Sequence, residues 1–388
     1  MFAAAHVQTA LQLVQAFRGE MPFAQYSKAY FSNHKKHGSR DRKQILQLCY
    51  CWFRMGQTLL QWPAEQRMLT GLFLCSVAPN ALLEALKPEW NEKAALPLEE
   101  KCLLAGFGLH ELLIFPWTDK LSEGIDGSAF SQSHLLQPDL FIRIRPGHKN
   151  AVINVLETKW LDYKLVSDQS IRLPNGFKVE EHFVVNKQVV IQDLSSQKAG
   201  SIFAEIPAAL VKKNPFRIWD ACAASGGKSI MAIDSFPNAI LTVTDKRTTI
   251  LHNLSERFRY AGIKNYHRFA VDLAVQEASI PLQDFIIADV PCTGSGTWSR
   301  TPEQLVCFNP ATIAGFSELQ RKISVNALKK LLPGGYFLYI TCSVFKEENE
   351  ENVAFLLQNN SIQLLHQSII NGAVEHADTM FTALFKSN

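Results

Sequence analysis

A chain of 388 residues that is 47% hydrophobic and 19% charged has room for two or three packed domains, and this composition excludes a disordered or fibrous protein. No apolar run is long enough to span a bilayer, and Met1-Phe-Ala-Ala-Ala-His6 lacks the basic start and apolar core of a secretion signal, so a cytoplasmic setting with no membrane partner is expected. The net charge of +3 is unevenly spread: residues 1–60 hold eight Lys/Arg against Glu20 and Asp41, a local balance suited to a polyanion.

Residues 1–125 read as a helical domain. Val7, Leu11, Val14 and Phe17 recur on one helical face. A second helix is expected to start at Ser39 as N-cap and to carry Ile45, Leu46, Leu48, Cys49, Trp52 and Phe53. Arg40, Arg42 and Lys43 in its first turns are candidates for contact with a polyanion, or a solvated helix face. Segments 66–77, 80–86 and 98–105 also favour helix. The eight cysteines are scattered with no C-x-x-C pair, so free thiols and no metal are expected. Cys49 and Cys51, two apart on a helix, point in different directions.

Residues 126–188 read as a small α/β unit entered through a polar linker. Leu140-Phe-Ile-Arg-Ile-Arg145 alternates as a strand, with Phe141, Arg143 and Arg145 on one face. One aromatic and two arginines on one face would stack on and grip a nucleic-acid strand; the alternative is an ordinary exposed edge. A helix over 148–160 and strands near 163–166, 183–185 and 189–191 follow, with a turn at Pro174-Asn-Gly176.

Residues 189–388 alternate strand and helix, which predicts a parallel, doubly wound sheet. Strands are expected at 217–219, 239–244, 268–271, 285–288 and 336–340. Helices are expected from Ser225 through Ile233, over 246–261, over 311–332 with Pro333-Gly-Gly335 as its stop, and over 347–358. Strands near 362–366 and 380–386 complete the sheet.

Three constellations stand out. Asp220-Ala-Cys-Ala-Ala-Ser-Gly-Gly-Lys-Ser229 sits at a strand-to-helix turn, where glycines let backbone approach a ligand and free amides face an anionic group. Cys occupies position 222, where a triphosphate-binding loop needs glycine, so that chemistry is rejected. Asp220, Asp245, Asp272 and Asp289 close four successive strands, a line of acceptors at the ligand-binding edge of the sheet. Such a line fits a nucleoside with an amino-bearing or cationic tail, and S-adenosylmethionine has these features. The third is a pair of thiols: Cys292 follows Asp289-Val-Pro, and Cys342 ends the neighbouring strand. A thiolate there would add to an electron-poor carbon.

At these residues the chain resembles the RNA (cytosine-5) methyltransferase family of the Sun, Fmu or RsmB type. Asp220–Lys228 looks like the family's first cofactor motif, and Asp289-Val-Pro-Cys-Thr-Gly-Ser-Gly296 like its proline-cysteine motif. Thr341-Cys-Ser-Val-Phe-Lys-Glu-Glu-Asn-Glu350 looks like its threonine-cysteine motif, and Gln192-Asp-Leu-Ser-Ser-Gln197 like the lead-in segment. The resemblance implies a Rossmann-like methyltransferase sheet over 189–388, a NusB-like helical domain over 1–125 and a ferredoxin-like unit between them. It implies S-adenosylmethionine as cofactor, held by Cys222, Ala223, Ala224, Ser225, Gly226, Gly227 and Lys228 around its amino-acid tail. Asp245 would take the ribose diol, and Asp272 the adenine amino group; Asp289 borders the same site. Cys342 is implied as the thiol that adds to carbon-6 of a flipped cytosine. Cys292 would assist release, Asp289 would hold the base at its ring nitrogen, and Lys228 would orient Asp289 or the base. RNA contacts are expected from Arg40, Arg42, Lys43, Arg143, Arg145 and Arg300, the partner being 16S rRNA and the protein a monomer. A non-catalytic ribosome-assembly factor that keeps the fold is the alternative. One departure is Ser225, where the family has proline; an amide is restored and the turn loosened, with binding expected to survive.

Overall fold

The computed structural model describes residues 2–388. It divides into two compact units, one comprising the chain up to Asp119 with Asp126–Gln137 and Thr297–Pro310, the other Lys120–Ile125, Pro138–Gly296 and Ala311–Asn388. Segments 126–137 and 297–310 therefore pack with the helical residues, across the boundaries drawn from the sequence.

In the helical unit, Phe2–Ala16 buries Val7, Leu11 and Val14, with Phe17 just beyond it, on the stripe read from their spacing. The helix Ser39–Arg54 packs on it and on Ala64–Cys75. Its N-cap is Gly38 rather than Ser39, because the Asp41 carboxylate reaches back to accept from Gly38 N at 3.0 Å. A helix at Phe23–Asn33 has no counterpart in the sequence reading; its buried side is only Phe23, Ser27 and Phe31, too sparse to show as a stripe. Trp298 accounts for the membership of Thr297–Pro310. It is 1% exposed and its ring meets Phe115, Trp117 and Phe308. Glu303 adds a hydrogen bond from Phe23 N at 3.0 Å, and the buried Arg54 guanidinium donates to Ser299 O at 2.9 Å.

The other unit contains two sheets. In the smaller, β1 (Leu140–Ile144), β2 (Lys164–Leu165), β3 (Ser170–Leu173) and β4 (Val189–Ile191) run antiparallel in the order β2-β3-β1-β4, with the helix Lys149–Thr158 after β1. The strand expected over 183–185 is absent, since only an isolated bridge joins Val185 to Val189. Its place in the sheet is taken by β3, before the Pro174-Asn-Gly176 turn.

The larger sheet is built from β5 (Arg217–Asp220), β6 (Ile240–Asp245), β7 (Tyr266–Ala270), β8 (Gln283–Asp289), β9 (Leu331–Thr341), β10 (Ile362–Asn371) and β11 (Thr379–Ser387). The order is β10-β11-β9-β8-β5-β6-β7, with β5 to β9 parallel and β10 and β11 antiparallel. Helices cover both faces, so the central strands are apolar on both sides. Phe285 and Ile287 enter one core and Ile286 and Ala288 the other. The strand order reverses between β5 and β8, and the crevice beyond their carboxyl ends is where this class of sheet binds ligands. The helix Thr312–Leu328 stops short of Pro333-Gly-Gly335, which instead lies within β9. Among the described residues, no helix is long and apolar enough to cross a membrane.

Candidate functional site

Between the carboxyl ends of β5, β6, β8 and β9 lies a cavity of about 340 Å³. This volume is at the small end of the range, roughly 300–1,000 Å³, of pockets for small ligands. Its walls include Cys222, Ala224, Asp245, Asp272, Asp289, Cys292 and Cys342, with Val271, Leu273 and Ile323 as apolar surface. The topology thus gathers three of the four strand-closing acids and both thiols named from sequence.

The fourth acid, Asp220, is not on that wall. It is 1% exposed, and its Oδ2 accepts from Ser229 Oγ at 2.6 Å in the helix Gly227–Ser235. Burial raises its pKa to about 7, opposed by the Ser229 hydrogen bond and reinforced by the Asp289 charge. Its Oδ1 is buried without a hydrogen-bond partner.

The turn from β5 into that helix departs from ordinary backbone. Ala224 has φ +45° and Gly226 φ +82°, and the latter sits in the left-handed region that favours glycine. Ala223 is buried and Gly227 opens the helix. Ser225, the departure from proline, is clamped: Arg257 Nη1 donates to its hydroxyl at 2.7 Å and to its carbonyl at 3.0 Å. Lys228 turns away from the turn. Its Nζ meets Asp289 Oδ2 at 2.6 Å and Ser196 Oγ at 3.4 Å. Burial pulls its pKa down, but the Asp289 charge and hydrogen bond outweigh that and leave it raised, so the ammonium form is held.

Asp245 carries the contacts of a busy acceptor. Its oxygens accept from Ala224 N at 3.1 Å, from Arg247 N at 2.9 Å and from the Arg247 guanidinium at 3.1 and 3.3 Å. Arg247 lies across the carboxylate that the resemblance assigns to a ribose diol, and its own side chain is more than half exposed. Asp272 caps the turn after β7 through Ala274 N at 3.0 Å.

The two sulfurs, Cys292 Sγ and Cys342 Sγ, face each other at 3.1 Å as free thiols. The hydrogen bond with Cys342, then burial, then the charges of Cys342 and Glu348 push the Cys292 thiol well above its ordinary pKa. Each cysteine loop is fixed by side chains to which the sequence reading assigned no role. Asn349 accepts from Thr341 Oγ1 at 2.6 Å and donates to Ser343 O at 2.9 Å, bracketing Cys342. Glu348 accepts from Thr293 N and Oγ1, next to Cys292. Both lie in the quoted Thr341–Glu350 motif, which was the available signal. Gly296 N donates to Cys342 O at 2.9 Å, and a Cβ at this glycine would stand 1.9 Å from Thr379 O.

Two expected nucleic-acid contacts are corrected. Arg143 is 4% exposed; its Nη1 meets Asp234 Oδ2 at 2.7 Å and its Nε meets Gln192 Oε1 at 3.0 Å. Arg145 Nη2 meets Asp234 Oδ1 at 2.7 Å, and its Nη1 donates to Ala261 O and Asn186 O. Both arginines bind β1 to the helix that carries Lys228. Gln192 continues the chain through Ser196 Oγ at 3.1 Å to Lys228, so the lead-in segment connects Arg143 with Asp289. In the helical unit, Arg40 and Lys43 are exposed. Arg42 donates to His37 O at 2.8 Å, and Arg42 and Lys43 border a separate cavity of about 890 Å³ with Tyr50 and Arg54. Arg300 is exposed beside the buried Trp298 and belongs to the helical unit.

Residues 207–383 match the family model of the 16S rRNA methyltransferase RsmB/F. They form a domain of the RsmB/F methyltransferase family. Within that family, similarity extends to ribosomal RNA small subunit methyltransferase B of Xanthomonas campestris, 29% identical over 177 residues, or 45% of this chain and 39% of that protein. Ribosomal RNA small subunit methyltransferase F of Cronobacter sakazakii is 30% identical over 197 residues, or 49% of this chain and 38% of that protein. The alignments thus span about two fifths of these relatives' lengths. Among solved structures, PH0851 aligns over 98% of both chains with a TM-score of 0.67 at 18% identity. NSun6 from Pyrococcus horikoshii, solved with SFG, aligns over 70% of this chain and 97% of its own with a TM-score of 0.58 at 14% identity. At these identities the structural likeness speaks for the fold. In the RsmB/F domain, β5 to β11 and the cavity at their edge fall within or just beyond the matched residues.

Proposed function

We propose that the chain is an S-adenosylmethionine-dependent RNA (cytosine-5) methyltransferase acting on 16S rRNA. The observation that carries this reading is the facing pair of thiols in one cavity with a lysine-held aspartate. The names of the similar proteins support ribosomal RNA as the substrate class.

The residues present fit the cofactor. Asp245 and Asp272 offer acceptors for hydroxyl and amino groups, the 222–224 turn offers backbone at close range, and Val271, Leu273 and Ile323 offer an apolar wall. Bound there, S-adenosylmethionine supplies an electrophilic methyl group.

Carbon-5 of cytosine is a poor nucleophile until a thiolate adds to carbon-6. Cys342 forms that sulfur–carbon bond, and the electron pair moves to carbon-5. Asp289, its charge balanced by Lys228, accepts a hydrogen bond from the protonated ring nitrogen and stabilises that protonated form, whose added proton makes the ring electrophilic. With that electron pair carbon-5 would bond to the methyl group the cofactor supplies as the methyl–sulfonium bond breaks; a base would then take the carbon-5 proton, the carbon-5–carbon-6 double bond re-form, and Cys342 leave as thiolate, assisted by Cys292. The base must leave its stack to reach such a cavity, which favours single-stranded or loop cytosine. Arg40, Arg42, Lys43 and Arg300 are the proposed phosphate contacts.

Cys292→Ala and Cys342→Ala proteins incubated with RNA and cofactor test the assignment. The covalent RNA adduct is expected to accumulate with Cys292→Ala and never to form with Cys342→Ala; the opposite pattern transfers the attack to Cys292. Bisulfite sequencing of 16S rRNA from a deletion strain tests the substrate. No labelled methyl entering any RNA with the unaltered protein would favour a non-catalytic assembly factor.

A further inference from the structure

Glu348 is wholly buried, yet it carries a carboxyl group. Four donors surround it. Thr293 N at 2.9 Å and Gln320 Nε2 at 2.7 Å point to Oε1; Thr293 Oγ1 at 2.6 Å and Ser343 Oγ point to Oε2. Thr293 directly follows Cys292, and Ser343 directly follows Cys342. Gln320, on the helix Thr312–Leu328, also donates to Pro291 O at 3.0 Å, on the other side of Cys292. One carboxyl group therefore ties together both cysteine loops and the helix behind them.

A neutral tie would avoid the cost of a buried carboxylate, so its charge calls for a reason. Burial raises the Glu348 pKa, opposed by hydrogen bonds from Ser343, Thr293 and Gln320. Its charge in turn adds to the forces that hold the proton on Cys292. Of the other titratable groups, Lys228 acts on Cys342, Asp289 lines the same cavity and Tyr339 acts on Cys292, with Arg321 beyond it against Tyr339.

We propose that Glu348 is a positioning residue whose buried carboxylate sets the two cysteine loops so that Cys292 faces Cys342 as a protonated thiol. This rests on the reading of Cys342 as the attacking thiol and Cys292 as the group that assists release. Glu348 touches neither substrate nor cofactor; it acts through Thr293 and Ser343.

Glu348→Gln separates the charge from the shape. The amide oxygen can take the Thr293 N and Gln320 donors, and the amide nitrogen can donate to the two hydroxyls, which rotate to accept. In the full chain, iodoacetamide alkylation at Cys292, resolved by peptide mass spectrometry, is followed as a function of pH. The midpoint is expected to fall by about one pH unit in Glu348→Gln, with kcat lowered about tenfold and KM for RNA unchanged. An unmoved midpoint in a folded Glu348→Gln protein overturns the proposal. If that variant does not fold, Glu348→Asp, which keeps the charge, is expected to hold the midpoint near the unaltered value while slowing turnover. A lowered midpoint in Glu348→Asp overturns the proposal as well. Failure of the unaltered protein to methylate RNA defeats the functional reading instead, and the alkylation midpoint still decides the role of Glu348.

Discussion

Arg257 Nη1 donates to the Ser225 hydroxyl at 2.7 Å, so the arginine supplies from outside the turn the restraint that proline would supply from within it. Arg257 is itself anchored by Asn186 Oδ1 at 3.1 Å. Removing the guanidinium frees Ser225 and loosens the turn proposed to hold the cofactor's tail. Arg257→Ala removes both hydrogen bonds to Ser225 and is expected to weaken cofactor binding about tenfold. Isothermal titration with S-adenosylhomocysteine measures it. An unchanged affinity would mean that the turn holds its shape unaided.

Arg143 separates a structural reading from a nucleic-acid reading. Arg143→Met takes a donor from Gln192 Oε1 and from Asp234 Oδ2 in a buried place, and breaking a buried pair costs about 3–5 kcal/mol. Arg145 keeps hold of Asp234, so the low end of that range is expected. Urea unfolding should show the loss, while RNA affinity measured at a temperature where the variant is folded stays within twofold. A large loss of RNA affinity without a loss of stability would restore Arg143 to the nucleic-acid surface.

Asp220 predicts a pH dependence. A carboxyl whose pKa rises on folding, here to about 7, binds its proton more tightly in the folded state. Folding is then fully favoured below the unfolded aspartate value near 4 and loses stability as pH rises towards 7. Asp220→Asn keeps an acceptor for Ser229 and removes the titration. Its melting temperature relative to the unaltered protein should rise between pH 5 and pH 8. Parallel melting curves for the two proteins across that window would contradict the assignment.

Gly296→Ala places a Cβ 1.9 Å from Thr379 O, a backbone atom that side-chain rotation cannot relieve. The loop must shift, and with it the hydrogen bond from Gly296 N to Cys342 O. Turnover is expected to fall at least tenfold, since misplacing reacting groups by about 1 Å can cost 100-fold. Single-turnover methyl transfer to RNA checks it.

The strand-closing acids and the paired thiols were legible because β5, β6, β8 and β9 announce themselves. Central parallel strands are continuously apolar, and their ends are marked by the first polar residue. Arg143 and Arg145 misled for the complementary reason. Alternation in β1 says only that two arginines share a face, and the residue that buries them, Asp234, lies 91 and 89 positions away. Glu348 stood in a quoted motif, but nothing in the sequence shows that its donors come from Thr293 and Gln320, 55 and 28 positions earlier. Arg300 stands out in sequence as a basic residue, but nothing there shows that its neighbour Trp298 is buried, because the aromatic cluster that buries it is assembled from residues near 115 and 308.

That cluster has a consequence for dissection of the gene. The helical unit resembles an N-terminal module in sequence, yet its interior is closed by Trp298, Glu303 and Phe308, supplied some 160 positions after Gln137. A fragment ending at residue 137 would leave Phe115 and Trp117 facing water and Phe23 N short of an acceptor. Such a fragment is a protein with its keystone missing, and swapping it between relatives requires carrying residues 297–310 along with it.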